Sequence, residues 1–535
     1  MKKRHLFGLS MALFMSCKQK PAERPKRPNI LFAISDDQTF RHTGYAGCDY
    51  VKTPAFDRVA SEGIYFSNCY AGSPGCAPSR SSIVTGRYPW QNEQSGQHAS
   101  SWMKKYVPFV DLLEENGYAT GRTGKGVGPF RYARTEADSL WRMGDAGGKS
   151  FSSINYKKGA DERTAKGIRN LNYSENFKYF VENIKGDKPF FFWFGASEPH
   201  RSYEKGSWKR LGKKLGDVKQ VPGFLPDTDE IRGDLLDYAV EIEWFDKHLQ
   251  RMLDYLESIG ELDNTIVMVT SDNGMPFPRA KANCFEYGVH VPFAVRYPKG
   301  FPGKRVVDNP VSFIDIAPTI LELTGTSPEG MMPISGRSML NVLRSDKQGD
   351  VDGGRKYAVA GRERHSSSRY LNRGYPQRVI RSKEFIYIWN MKPERWPAGA
   401  PRRFDPKDST KLYPNYGLGA DGKYMRAGAF TDIDDCPSKT FIIENHDNPE
   451  LSKYFGLAHD KRPEFELYNV VNDPYCLNNL AGSEELKSTE ASLKEKLFEE
   501  LKSSDDPRIV GPDQEVFESY KRYSVIRKFP KPEYL

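Results

Sequence analysis

Twelve consecutive residues, Cys76-Ala77-Pro78-Ser79-Arg80-Ser81-Ser82-Ile83-Val84-Thr85-Gly86-Arg87, set a thiol four residues ahead of a guanidinium. The Gly72-Ser73-Pro74-Gly75 cluster before them breaks structure, Pro78-Ser79 reads as a helix start, and Thr85-Gly86 reads as its stop. Cys76 is therefore expected at the mouth of a helix N-terminus, where free N–H groups and the helix dipole favour an anion. An anionic ester suits that geometry. Two further pairs, Asp36-Asp37 and Asp272-Asn273, offer three carboxylates and an amide. All are hard oxygen donors with no histidine among them, a set that favours Ca2+ or Mg2+ over Zn2+.

Both pairs close apolar runs. Residues 29–35 end at Asp36-Asp37, residues 265–271 end at Asp272-Asn273, and residues 189–195 end shortly before Glu198-Pro199-His200. Continuous apolar runs of this length predict fully buried strands. Helical patterns at 110–116, 235–259 and 314–323 alternate with them, which argues for an α/β protein with a parallel sheet. Ligands bind such sheets beyond the carboxyl ends of the strands, where these acids and His200 fall. The texture changes after residue 346. Residues 345–355 are polar and read as a linker, 385–389 and 466–470 as strands of a smaller sheet, and 484–503 as an amphipathic helix.

Cys76, Pro78, Ser79, Arg80, Thr85, Gly86 and Arg87 match every fixed position of the sulfatase signature. The chain resembles that family from about residue 28 to residue 511. The resemblance implies an alkaline-phosphatase-like α/β fold: a large mixed or parallel sheet sandwiched by helices, with a smaller C-terminal antiparallel-sheet subdomain. It also implies that a maturation enzyme oxidises Cys76 to formylglycine (3-oxoalanine), whose hydrate attacks sulfur. Asp36, Asp37, Asp272 and Asn273, with residue 76, would then bind one Ca2+. Arg80 would hold the hydrate, His200 would protonate the leaving oxygen, and Lys281 would sit on the sulfate. Lys125 matches the Gly-Lys of the family's second motif. Families usually place a histidine two residues later; here that residue is Val127, and His98 is either its substitute or a substrate contact.

Gly361-Arg362-Glu363-Arg364-His365, the segment 375–381 and Asp505-Asp506-Pro507-Arg508 resemble the heparan N-sulfatase (sulfamidase) branch, which in bacteria also holds enzymes acting on ulvan. Arg364 and His365 are the candidate substrate subsite. The expected activity is hydrolysis of sulfate esters on a sulfated polysaccharide, with ulvan favoured and N-sulfoglucosamine the alternative. A phosphatase or phosphonate hydrolase of the same superfamily is the enzymatic rival. Its two-zinc members need histidine ligands and a Ser or Thr nucleophile, and neither stands at the matching positions. A glycan-binding lipoprotein without activity is the other rival.

The 535 residues carry 79 basic and 70 acidic side chains, for a formal charge of +9. That balance suits an acidic glycan, and with no basic arm interleaved with aromatics nucleic acid is disfavoured. Residues 1–5 are basic, 6–15 are apolar but too short to span a membrane, and Phe14-Met15-Ser16-Cys17 resembles a lipobox. The expected organisation is a signal peptide over 1–17 with lipidation at Cys17, a tether over 18–27, a catalytic domain over 28–345, a subdomain over 356–511 and a tail over 512–535. Export as a bacterial lipoprotein, to the periplasm or outer membrane, follows from that address. Of seven cysteines, five remain once Cys17 and Cys76 are set aside, so at most two disulfides are expected.

Overall fold

The strand Asn29–Ser35 lies at the heart of a seven-stranded sheet, parallel to Phe190–Gly195 on one side and Thr265–Ser271 on the other. All three strands are fully buried, as continuous apolar runs require. Ala119–Gly124 adds a parallel edge, and Phe293–Arg296 pairs antiparallel with both Thr265–Ser271 and Ile64–Phe66, which makes the sheet mixed. The fold is therefore α/β of the expected kind, described over residues 26–157 and 159–535 of the computed structural model. Cys17, the signal segment and most of the tether lie outside the described residues.

Side-chain alternation along the central strand divides the core in two. Ile30, Phe32 and Ile34 pack with Ile83, Val84, Phe109 and Ile320 on one face. Leu31 and Ala33 pack with Phe56, Val59, Phe177, Leu249 and Met252 on the other. A 30-residue helix, Asp229–Ser258, supplies the last two of these. Among the described residues, no helix is long and apolar enough to cross a membrane.

Ala358–Arg362, Gln377–Arg381, Phe385–Asn390 and Phe465–Asn469 form a four-stranded antiparallel sheet. Helix Lys487–Ser503 covers one face through Leu493, Leu497 and Leu501. The other face packs on Tyr70, Phe285 and Val289, from elements that lie outside the seven-stranded sheet.

Two expectations meet a different arrangement. The polar stretch 345–355 is not a free linker: Gly349 bridges Val307, and the Arg355 guanidinium bonds Asp315 at 2.9 Å. The segment 512–535 is not a loose tail either. Phe517 is buried, its carbonyl accepts from Gln97, the Tyr523 N–H donates to the Ala99 carbonyl, and Arg527 N–H reaches Ser367. All six described cysteines are free.

Candidate active site

Strand register builds the site. Ile34 and Gly124 both stand opposite Gly195, and Ser35 stands opposite Ser271, so the residues that follow, Asp36, Lys125 and Asp272, emerge at one rim. The Asp37 N–H donates to Asp272 Oδ1 at 3.0 Å, and Asn273 Nδ2 donates to Asp37 Oδ1 at 2.8 Å. Three of the expected ligands, Asp37, Asp272 and Asn273, thus form one hydrogen-bonded group. Asp36, Cys76 and Asp272 also bring their donor atoms within 4.8 Å of one another.

Cys76 opens the helix Cys76–Thr85, preceded by Gly75 and stopped by Gly86 in the left-handed region at φ 66°. The helix begins two residues before Pro78, which puts residue 76 itself at the N-terminal N–H groups. Space at Gly75 is tight: a Cβ there would meet His365 Nδ1 at 3.0 Å, so the imidazole would have to shift. One turn on, Arg80 is wholly enclosed. Its Nε donates to Asp272 Oδ2 at 2.6 Å and its Nη1 to the Lys125 and Gly126 carbonyls.

Two lysines flank the acids. Lys125 Nζ spans both Asp36 oxygens at 2.8 and 2.6 Å, while Lys281 Nζ bonds Asp37 at 2.6 Å and Asp434 at 2.9 Å. Burial alone would raise the Asp36 carboxyl, but Lys125 and then His200 and Arg80 hold it below its ordinary value. Burial works against the Lys281 ammonium too; Asp37 and Asp434 overcome it and keep it charged. Cys76 is pushed up by burial, so an unconverted thiol stays protonated at neutral pH and is a poor nucleophile. His200 Nδ1 lies 2.6 Å from the Arg201 carbonyl, which makes Nδ1 the donor and turns Nε2 toward Asp37 Oδ2, 3.9 Å away.

The donor set fits a hard divalent cation. Asn273 Oδ1 is buried with no hydrogen-bond partner among the described residues, the signature of a carbonyl oxygen meant for a cation. Charge agrees: Asp36, Asp37, Asp272 and Asp434 outnumber Arg80, Lys125 and Lys281 by one. A divalent ion with one singly charged anionic ligand would bring the group to neutrality.

A cavity of about 760 Å3 opens over these groups, lined by Asp36, Cys76, Lys125 and His200 together with Arg122 and Arg169. That size accommodates a small-molecule or saccharide unit. His98 lines it as well, near Val127. Arg364 and His365 do not. Arg364 turns inward and donates to the Tyr520 carbonyl at 2.6 Å, and His365 packs between Gly75 and His98, ring centroids 5.2 Å apart. The two residues expected as a subsite in the smaller domain thus stand behind the cavity lining, where Arg364 anchors the C-terminal segment. Asp434 was not anticipated. It sits in the acidic run Asp432-Ile433-Asp434-Asp435, beyond any strand end, and is marked by its pairing with Lys281 and by its approach within 4.8 Å of Asp37 and His200.

Residues 28–326 match the family model described as Sulfatase. An ulvan-active sulfatase of Formosa agariphila is 25% identical over 513 residues, covering 88% of this chain and 74% of the relative. Human N-sulphoglucosamine sulphohydrolase is 23% identical, covering 92% and 93%. A structure solved in complex with its substrate, D-glucosamine-2-N,6-O-disulfate, superposes with a TM-score of 0.61 at 21% identity, over 90% of this chain and 99% of that one.

Proposed function

The chain belongs to the sulfatase family, and from that membership we propose that it removes sulfate from the esters of a sulfated polysaccharide, releasing inorganic sulfate. One observation carries the reading: the Cys76 helix N-terminus, the ligand group Asp36, Asp37, Asp272 and Asn273, and the cations Arg80, Lys125 and Lys281 meet at one rim. Ulvan-type algal polysaccharide is favoured by the ulvan-active relative. N-sulfated glucosamine is the second reading, supported by the human relative that aligns over nearly the whole chain.

Conversion of Cys76 to formylglycine supplies a hydrated aldehyde, a nucleophile that ordinary side chains cannot provide. Asp36, Asp37, Asp272 and Asn273 would hold one divalent ion, Ca2+ by donor type, and the chemistry it would supply is Lewis-acid withdrawal of charge from sulfate oxygens. The remaining work belongs to the chain's own groups. Lys125 and Lys281 approach the sulfate from two sides and stabilise the charge that develops on its oxygens. Arg80 fixes Asp272 and, through its carbonyl contacts, the Lys125 loop. With Nδ1 donating to a carbonyl, His200 gives a proton from Nε2 as the imidazolium, and the leaving oxygen takes it. Arg122 and Arg169, also lining the cavity, favour a substrate that carries further negative charge.

Sulfate released from ulvan oligosaccharides and from N-sulfated glucosamine, measured side by side on converted protein, tests both readings. Release from ulvan alone supports the first and release from the amine alone the second; none from any sulfated saccharide rejects both. Export with a lipid on Cys17 is proposed from residues 1–17. A Cys17→Ser variant should leave the membrane fraction, and an unchanged partition would reject the anchor.

A further inference from the structure

The C-terminal segment runs directly behind the cavity wall. Its Arg522 Nη1 shares its two hydrogens among three acceptors: His98 Nδ1 at 3.3 Å, the His98 carbonyl at 3.3 Å and the His365 carbonyl at 3.2 Å. Nε of the same guanidinium bonds the Val525 carbonyl, so the side chain is held from both ends. The segment is itself pinned on either side. The Tyr520 carbonyl accepts from Arg364, the Lys521 carbonyl accepts from Ser100, and Tyr523 N–H donates to Ala99.

A guanidinium has donors and no acceptor. Nδ1 of His98 must therefore be the unprotonated nitrogen, and the ring proton must sit on Nε2. Nε2 has no partner among the described protein groups, and the residue lines the cavity beside Cys76 and Lys125. Val127, on the same cavity wall, offers nothing polar. His98 is thus the wall's neutral hydrogen-bond donor.

We infer that Arg522 is a positioning residue for the sulfate site: it holds His98 in the Nε2–H tautomer, so that His98 donates to an oxygen of the bound sulfated substrate. The inference rests on the sulfatase reading for its substrate, while the tautomer itself does not. The charges that act on His98 come from His365 in the segment after Ala358–Arg362, Arg522 in the C-terminal segment, Lys125 in the loop after Ala119–Gly124 and Lys281 in the loop after Thr265–Ser271, with Asp36 and Cys76 lining the same cavity. Burial, then His365, Arg522 and the lysines, keep the ring neutral well below the ordinary histidine range. A neutral donor in a nest of cations binds an anionic oxygen without adding to the charge.

The test has two arms on the full chain. In the first, the nine histidines are labelled with 15N, His98 is assigned by its loss in His98→Gln, and its ring signals are followed from pH 5.5 to 8. The expected result is a single non-titrating Nε2–H tautomer in the wild type, a mixture or a titrating ring in Arg522→Met, and recovery in Arg522→Lys. An Nδ1–H tautomer in the wild type, or no change in Arg522→Met, would overturn the proposal whatever the protein's activity. In the second arm, sulfate release is compared in Arg522→Met, His98→Ala and the double variant. Arg522→Met should lower kcat/KM about tenfold alone and add nothing in the His98→Ala background. Additive losses would show that Arg522 does not act through His98.

Discussion

Arg80 Nε donates to Asp272 Oδ2 at 2.6 Å, with both side chains wholly shielded from solvent. This pair ties the helix that opens at Cys76 to the end of the strand Thr265–Ser271, and so sets the nucleophile's distance from the proposed cation. An Arg80→Lys variant keeps the charge but cannot reach Asp272 and the Lys125 and Gly126 carbonyls together. Turnover should fall about 10²-fold while bound Ca2+ stays stoichiometric. Turnover near the wild-type level would show that the pair is not needed to place residue 76.

Metal removal should act on stability as well as activity. If the group Asp36, Asp37, Asp272 and Asn273 holds the proposed Ca2+, it does so only in the folded chain, so saturating Ca2+ should raise the melting temperature of chelated protein. In Asn273→Leu, which removes the orphaned carbonyl oxygen, that rise should vanish. A metal analysis finding two zinc ions per chain would overturn the assignment.

His200→Ala should separate substrates by leaving group. Sugar alcohols leave poorly without a proton, so their turnover should drop about 10²–10⁴-fold, and an activated aryl sulfate should lose less than about tenfold. Equal losses on both would remove His200 from the proton-donor role.

Asp432 holds the smaller sheet to its loops. Burial would raise its carboxyl, but Arg369 and Arg362 hold it far below the ordinary range, with Ser366 and Ser368 also donating to it. A depressed value gives stability that is full above the unfolded carboxyl's pKa of about 4 and is lost as pH falls through the folded value. Asp432→Asn should cost about 3–5 kcal/mol at pH 7, because it strands two buried guanidinium groups. The gap in melting temperature from the wild type should stay constant from pH 5 to 8 and narrow in stronger acid; a gap that widens on acidification would contradict the account.

The strands were legible because a fully buried parallel strand must be a continuous apolar run, and the acids that end such runs mark where the chain reaches the rim. That ground put Asp36, Asp37, Asp272 and Asn273 at the rim, while the family resemblance supplied their expected role as ligands. Asp434 was not found, because a loop acid has no periodicity and gains meaning only when folding brings it 2.9 Å from Lys281. Arg364 read as a substrate contact because an inward arginine bonding a carbonyl looks the same in sequence as one facing a ligand. The segment 512–535 read as a tail because its anchors, Gln97, Ala99 and Ser367, are side-chain and backbone contacts more than 150 residues away.

The most direct measurement is inorganic sulfate released from a sulfated oligosaccharide by the wild type and by Cys76→Ala, both produced with a formylglycine-generating enzyme. The account predicts release by the wild type, a loss of about 10³-fold or more in the variant, and matching melting temperatures. Substantial sulfate release by Cys76→Ala would contradict it.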